Sequence, residues 1–227
     1  MKNGFGHVDT WIFDLDNTLY PASCRLFDQI DKRICEFVAR LLDVDPLEAR
    51  RIQKGFFYRY GTTLRGLMTE HGVNPDEFLD YVHDIDHTPV CSNPDLDRAL
   101  HALPGRKLVF TNGTVRHAGK VLERLGVTHH FGDIVDIVHS EYIPKPDIGP
   151  YRKFIARTGV EPKTSAMFED IARNLAAPHE LGMTTVLVTS PDNLDAAHLN
   201  GLDRDRSHVD HVTDDLARFL TDVAQKR

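Results

Sequence analysis

The sequence predicts an α/β protein in which a parallel-sheet core is interrupted by an inserted all-helical cap. Two observations predict this class. Over most of the chain, short apolar runs alternate with amphipathic stretches of helical period, while one long segment near the N-terminus carries helical periods alone. A third observation bounds the size: 227 residues, 41% hydrophobic and 27% charged, suffice for one large domain or a domain with a smaller companion. Disordered, collagen-like and coiled-coil classes are excluded by the same composition.

Residues 11–13 (Trp-Ile-Phe) run straight into Asp14-Leu15-Asp16-Asn17 and read as a buried strand ending in a polar turn. Further strands are predicted at 107–111 (KLVFT), 134–138 (IVDIV), 165–168 (SAMF) and 185–189 (TVLVT). Between them, 114–125 carries Val115, Ala118, Val121, Leu122 and Leu125 at helical spacing, with Gly126 as a stop. The stretches 150–158 and 172–181 behave similarly, the latter ending at Gly182. Such alternation implies βαβ units and a Rossmann-like parallel sheet covered on both faces. From 21 to 91 that rhythm breaks. Leu26, Ile30, Ile34, Phe37, Val38 and Leu41 lie at helical spacing, 46–60 and 75–82 read as further helices, and no convincing strand appears. Turn formers bound the segment, Pro21-Ala22-Ser23 at one edge and Ser92-Asn93-Pro94-Asp95 at the other. The predicted division is therefore 1–20 with 93–227 as the core and 21–92 as a helical cap, hinged to open and close over a site.

The charge narrows the partners. Lys plus Arg is 27 and Asp plus Glu is 34, a net charge of −7, which argues against a nucleic-acid polymer because phosphate contacts need a basic surplus. A small anionic substrate responds to local charge and stays open. Cys24, Cys35 and Cys91 are too few and too scattered for a disulfide framework or a paired-cysteine zinc site, and read as small buried apolar residues. The N-terminus lacks the apolar core of a signal peptide, and no apolar run approaches a membrane span. A cytoplasmic protein with no membrane partner, monomeric or homodimeric, is the expectation.

Chemistry-bearing residues gather at the predicted strand ends, where open α/β sheets bind ligands. Asp14 and Asp16 follow the first strand, and two carboxylates at one strand end suggest a cation, since an uncompensated buried charge costs several kcal/mol. Oxygen-only ligation there favours Mg²⁺. Phe110-Thr111-Asn112-Gly113 follows the second strand, and its hydroxyl and turn N–H groups suit phosphate oxygens. Lys145 stands between Pro144 and Pro146 on a stiffened loop, and Phe168-Glu169-Asp170-Ile171-Ala172-Arg173-Asn174 puts acids at the end of the fourth strand.

The ordered set DLDNTLY, FTNG, KP and FEDIARN resembles the haloacid dehalogenase-like hydrolase superfamily, specifically members with a helical cap inserted after the first motif. The resemblance covers nearly the whole chain. It implies Asp14 as nucleophile, Asp16 as general acid and then base, and Thr111, Asn112 and Lys145 as phosphate-binding residues. It further implies Mg²⁺ held by Asp14, Asp170 and the backbone carbonyl of Asp16, with Glu169 supporting from behind these ligands and Asn174 orienting Asp170 or Lys145. An aspartate at position 16 favours phosphate chemistry over dehalogenation, because a halide leaves without a proton. Within the superfamily, the DNTLY form of the first motif and the block from Tyr58 to Leu67 resemble the pyrimidine 5′-nucleotidase subgroup. That implies release of phosphate from nucleoside monophosphates, with Tyr60 and Arg65 as cap contacts and Tyr20 at the entrance. A phosphatase of a sugar phosphate or phosphoglycolate, a phosphomutase, and a non-catalytic phosphate-binding or interaction module are the competing readings. His83 and His87, four apart, have a spacing that would suit zinc on a helix, but no third ligand accompanies them. His129-His130 reads as a loop.

Overall fold

The computed structural model describes residues 4–193 and 205–227. Six parallel strands form one sheet in the order β3-β2-β1-β4-β5-β6. They are β1 (Thr10–Phe13), β2 (Arg106–Phe110), β3 (Asp133–Val135), β4 (Ser165–Glu169), β5 (Thr184–Val188) and β6 (His211–Thr213). The chain builds outward from β1 in one direction through β2 and β3, then returns to lay β4, β5 and β6 on the other side. β1 therefore sits at the switch point, where the strands' carboxyl ends leave a crevice.

Alternation along β1 explains the two-layered core. Trp11 and Phe13 face one apolar layer, with Leu100, Val121, Leu122 and Leu220, while Ile12 faces the other, with Phe110, Phe154 and Met167. The first layer is covered by α5 (Pro94–Ala102), α6 (Val115–Leu125) and α9 (Leu216–Lys226), and the second by α7 (Ile148–Thr158) and the short α8 (Ala176–Glu180).

Between β1 and α5 stand four helices: α1 (Leu26–Leu42), α2 (Pro46–Tyr60), α3 (Thr63–His71) and α4 (Pro75–Val82). Each start from α2 onward carries the cap its sequence promises: Asp45, Thr62 and Asn74 accept from the first free N–H groups, and Pro46 and Pro75 fill first-turn positions. Their apolar faces form a separate cluster around Ile30, Val38, Phe56, Leu67 and Phe78. Leu41, placed on that face by spacing, is 44% exposed instead.

Several elements depart from the sequence reading. The strand expected at 134–138 stops at Val135 because Asp136 turns its carboxylate to the N–H groups of Val115 and His139, and Ile137 N–H bonds Gly113 O. The helix expected at 172–181 divides into a 3₁₀ turn, Ala172–Leu175, and α8. Strand β6 was not anticipated, being three residues long, half-exposed and polar at its ends. All three cysteines are free, but Cys91 is exposed and Cys24 and Cys35 only partly buried, against the buried reading. Among the described residues no helix is long and apolar enough to cross a membrane.

Candidate active site

Register brings the motifs together. Phe13 pairs with Val109 on one side and Phe168 on the other, so Asp14, Phe110-Thr111 and Glu169-Asp170 emerge side by side. Asp14 N–H continues the ladder to Phe168 O at 2.9 Å before the chain turns away. The loop holding Lys145 arrives beside them, fixed by its own N–H donating to Asn112 Oδ1 at 3.0 Å.

Lys145 is 2% exposed, and its ammonium donates to Asp14 Oδ1 at 2.7 Å, Glu169 Oε2 at 2.6 Å and Phe110 O at 3.0 Å. All three of its protons are thereby used. Burial would lower its pKa, but the two carboxylates outweigh burial and hold it above the ordinary lysine value. Asn174 Nδ2 donates to Glu169 Oε1 at 3.0 Å, so Asn174 braces Glu169, and Glu169 braces Lys145. Asn174, expected to orient Asp170 or Lys145, thus contacts Glu169 instead.

Carboxylate oxygens of Asp14, Glu169 and Asp170 lie within 4.8 Å of one another, all three buried. One lysine faces three acids, and the surplus shows in their acidity. Burial and Glu169 push Asp14 up to about 7, against the pull of Lys145. Burial, Glu169 and Asp14 raise Asp170 well above the carboxylate range, although the Asn193 amide donates to it. A buried, oxygen-only, over-acidic cluster is what a divalent hard cation would stabilise, so the residues fit Mg²⁺. The side chain of Asp16 is not part of that cluster.

Asp16 has its own environment. Its Oδ1 accepts from Tyr20 Oη at 2.5 Å and faces His117 Nε2 at 2.9 Å. Burial raises the Asp16 pKa, but the His117 charge and hydrogen bond, with that of Tyr20, bring it below the ordinary value. Thr18 Oγ1 donates to Asp14 Oδ2 at 3.0 Å, and Asn17, directly after Asp16, turns the chain with φ 59°. Thr111 Oγ1 accepts from Gly113 N–H at 2.9 Å, which leaves its O–H as a donor toward the cavity it lines.

That cavity lies between the carboxyl ends of the strands and the four inserted helices. Asp14, Asp16, Thr111, Asn112, Lys145 and Asp170 line one end. Phe27, Ile30, Ile34, Phe57 and Leu64 wall the other, with Asp31, Gln53 and Lys54 as a polar group among them.

A model of the haloacid dehalogenase-like hydrolase family matches residues 8–182. The chain belongs to that family. Among curated proteins it is 27% identical over 195 residues to phosphate metabolism protein 8 of Saccharomyces cerevisiae, covering 78% of this chain. It spans about 60% of that relative's length. Among solved structures, CbbY of Rhodobacter sphaeroides in complex with phosphate superposes with a TM-score of 0.63 at 14% identity, over 93% of this chain and 96% of that one. A HAD phosphatase of Thermococcus onnurineus gives 0.59 at 18% identity, over 93% and 96%. The L-2-haloacid dehalogenase of Xanthobacter autotrophicus gives 0.56 at 16%, over 96% and 97% with chloropropionic acid covalently bound. At these identities the structures share the fold.

In this haloacid dehalogenase-like hydrolase, the expected cap contacts are misplaced. Tyr20 is 1% exposed and donates to Asp16, so it does not stand at an entrance. Tyr60 and Arg65 do not line the cavity. Tyr60 Oη donates to Glu70, and Arg65 follows Leu64 on α3, the residue whose side chain turns to the cavity. The expected helical spacing of His83 and His87 fails because α4 ends at Val82. His87 instead bonds Ile85 O through Nδ1 and His117 through Nε2.

Sequence reasoning missed His117, Asn193 and Arg173. Arg173 donates to Phe57 O at 3.2 Å, its guanidinium 5.2 Å from the Phe57 ring, tying the core to α2. For His117 a signal existed: Val121 lies four residues on, so the helical period puts the imidazole on the buried face of α6.

Proposed function

We propose that the protein is a Mg²⁺-dependent phosphomonoesterase working through an aspartyl-phosphate on Asp14, with a nucleoside 5′-monophosphate as substrate. The observation that carries the reading is one cavity shared by a lysine-paired nucleophile, Asp14, and a separately held second acid, Asp16.

Each residue's part follows from its surroundings. An Asp14 oxygen attacks phosphorus as the ester P–O bond breaks, and the departing alkoxide takes its proton from Asp16. Asp16 then removes a proton from water, whose oxygen attacks phosphorus and breaks the bond to Asp14, releasing phosphate. Lys145 holds Asp14 in position and offsets the charge that would repel a phosphate dianion. Thr111 donates to a phosphoryl oxygen. Mg²⁺, held by Asp14, Asp170 and the Asp16 carbonyl, would supply the remaining charge neutralisation. A halide leaving group would make no use of a buried acid held by two donors, which favours phosphate esters over haloacids.

The nucleotide reading draws support from the cap end of the cavity. Aromatic and aliphatic walls suit one face of a base, and Asp31, Gln53 and Lys54 suit its polar edge. Gln53 is 2% exposed and donates to Asp31 Oδ1 at 2.7 Å, while Lys54 donates to the same oxygen at 3.0 Å, so the group is preorganised. The test is phosphate release with Mg²⁺ from nucleoside monophosphates, sugar phosphates and phosphoglycolate. Nucleoside monophosphates should show the highest kcat/KM, Gln53→Ala should alter the ranking, and Arg65→Ala should not. A sugar phosphate or phosphoglycolate at the top would remove the nucleotide reading and keep the phosphatase.

A further inference from the structure

Behind Asp16 lies a chain of imidazoles that the hydrolytic scheme does not use. His117, in the first turn of α6, is 1% exposed. Its Nε2 lies 2.9 Å from Asp16 Oδ1, and its Nδ1 lies 3.1 Å from His87 Nε2. His87 Nδ1 in turn lies 3.1 Å from Ile85 O. The last partner orders the whole chain. A carbonyl only accepts, so His87 Nδ1 carries a hydrogen; in the neutral ring Nε2 then accepts from His117 Nδ1–H. Donating from both nitrogens, the His117 ring carries its positive charge beside the Asp16 carboxylate and is held with Nε2 toward it, and turning the ring over would break both bonds. A further imidazole, His83 at the end of α4, stacks on His117 with centroids 4.8 Å apart and planes 11° from parallel. His83 Nδ1 also lies 3.4 Å from Thr114 Oγ1.

We propose that His117 is the positioning residue for the acid Asp16, and that His87 and His83, which lie on the return from cap to core, hold His117 in place. The inference rests on the phosphatase reading above. Two donors, Tyr20 Oη and His117 Nε2, converge on Oδ1 of Asp16, and this fixes the carboxyl's rotation in the cavity that Asp16 lines and leaves Oδ2 free of both donors. Cap and acid become linked: a segment that departs with the cap removes the prop that orients the proton donor. Among the described residues, the titratable side chains in contact with the His117 ring are Asp16, His83 and His87, and Thr114 accepts from its backbone N–H.

A leaving-group comparison tests the proposal. An aryl phosphate such as p-nitrophenyl phosphate departs without a proton, whereas an alkyl phosphate needs one, and the ratio of their kcat/KM values reports delivery of that proton alone. The ratio also cancels the fraction of folded enzyme. Positioned acid catalysis contributes about 10²–10⁴-fold, so His117→Asn, which keeps an amide near the Nδ1 position and loses the donor to Asp16, should lower the alkyl-to-aryl ratio by about 10²-fold. His117→Gln places an amide N–H near Nε2 and should restore most of that ratio. His87→Ala, which removes the prop and keeps the donor, should lower the ratio less than His117→Asn does. Unchanged ratios in both His117→Asn and His87→Ala would overturn the positioning role while leaving the phosphatase intact. Wild-type protein that releases phosphate from neither ester would overturn both.

Discussion

The Asp14 carboxyl, lifted to about 7 by burial and Glu169, makes metal binding a proton exchange. Below that pH the oxygen a cation needs is protonated, so binding must expel a proton. At pH 6 about one Asp14 in eleven is ionised and at pH 8 about ten in eleven, so Mg²⁺ affinity should fall about tenfold from pH 8 to pH 6. Asp170, raised by burial, Glu169 and Asp14, steepens the loss further. The same carboxyl sets the sign of the stability effect. Its folded value lies above the ordinary 3.8, so the stabilisation from its proton is full below about pH 4 and lost as pH rises through about 7. Metal-free protein should therefore lose stability from this group between pH 6 and 8, and Mg²⁺ should raise Tm more at pH 8 than at pH 6. Titration calorimetry in two buffers of different ionisation enthalpy measures affinity and proton release together. A Mg²⁺ affinity constant across pH 6–8, with no proton released, would refute the reasoning.

Two substitutions test the scaffold. Lys145→Met keeps apolar bulk but leaves Asp14 and Glu169 buried without their shared cation; it should cost about 3–5 kcal/mol in urea unfolding and abolish phosphate release. Gly61→Ala puts a side chain at φ +86°, with its Cβ 2.9 Å from Pro144 Cγ and 3.1 Å from Lys145 O. Left-handed strain alone is worth about 1–2 kcal/mol, so thermal unfolding should drop by about 2–8 °C, and kcat/KM should fall because the displaced loop carries Lys145.

How much was legible follows from what each signal depends on. Three of the four motifs are readable because each sits directly after a short apolar run, and a strand's carboxyl end is a local property; Lys145 is marked instead by the two prolines that flank it. Asp14, Thr111, Lys145 and Asp170 duly line one cavity. Strand β3 was read too long because nothing local shows that the Asp136 carboxylate caps α6 from 21 residues away. Tyr60 and Arg65 were misplaced for a related reason. Helical period puts a residue on a face, but which face of α2 and α3 meets the cavity depends on how the helices pack. Here Phe57 and Leu64 turn inward. The His117–His87 contact spans 30 residues and needs both the core helix and the segment returning from the cap, so only the burial of His117 was within reach of the sequence.

The central claim is that Asp14 carries the phosphoryl group between substrate and water. Acid-quenching the enzyme during turnover of a ³²P-labelled phosphomonoester with Mg²⁺, then mapping the labelled peptide, tests it directly. Label should appear on Asp14 and chase to inorganic phosphate, and Asp14→Asn should show neither label nor phosphate release. Phosphate release that persists in Asp14→Asn, or wild-type turnover with no label on Asp14, would contradict it.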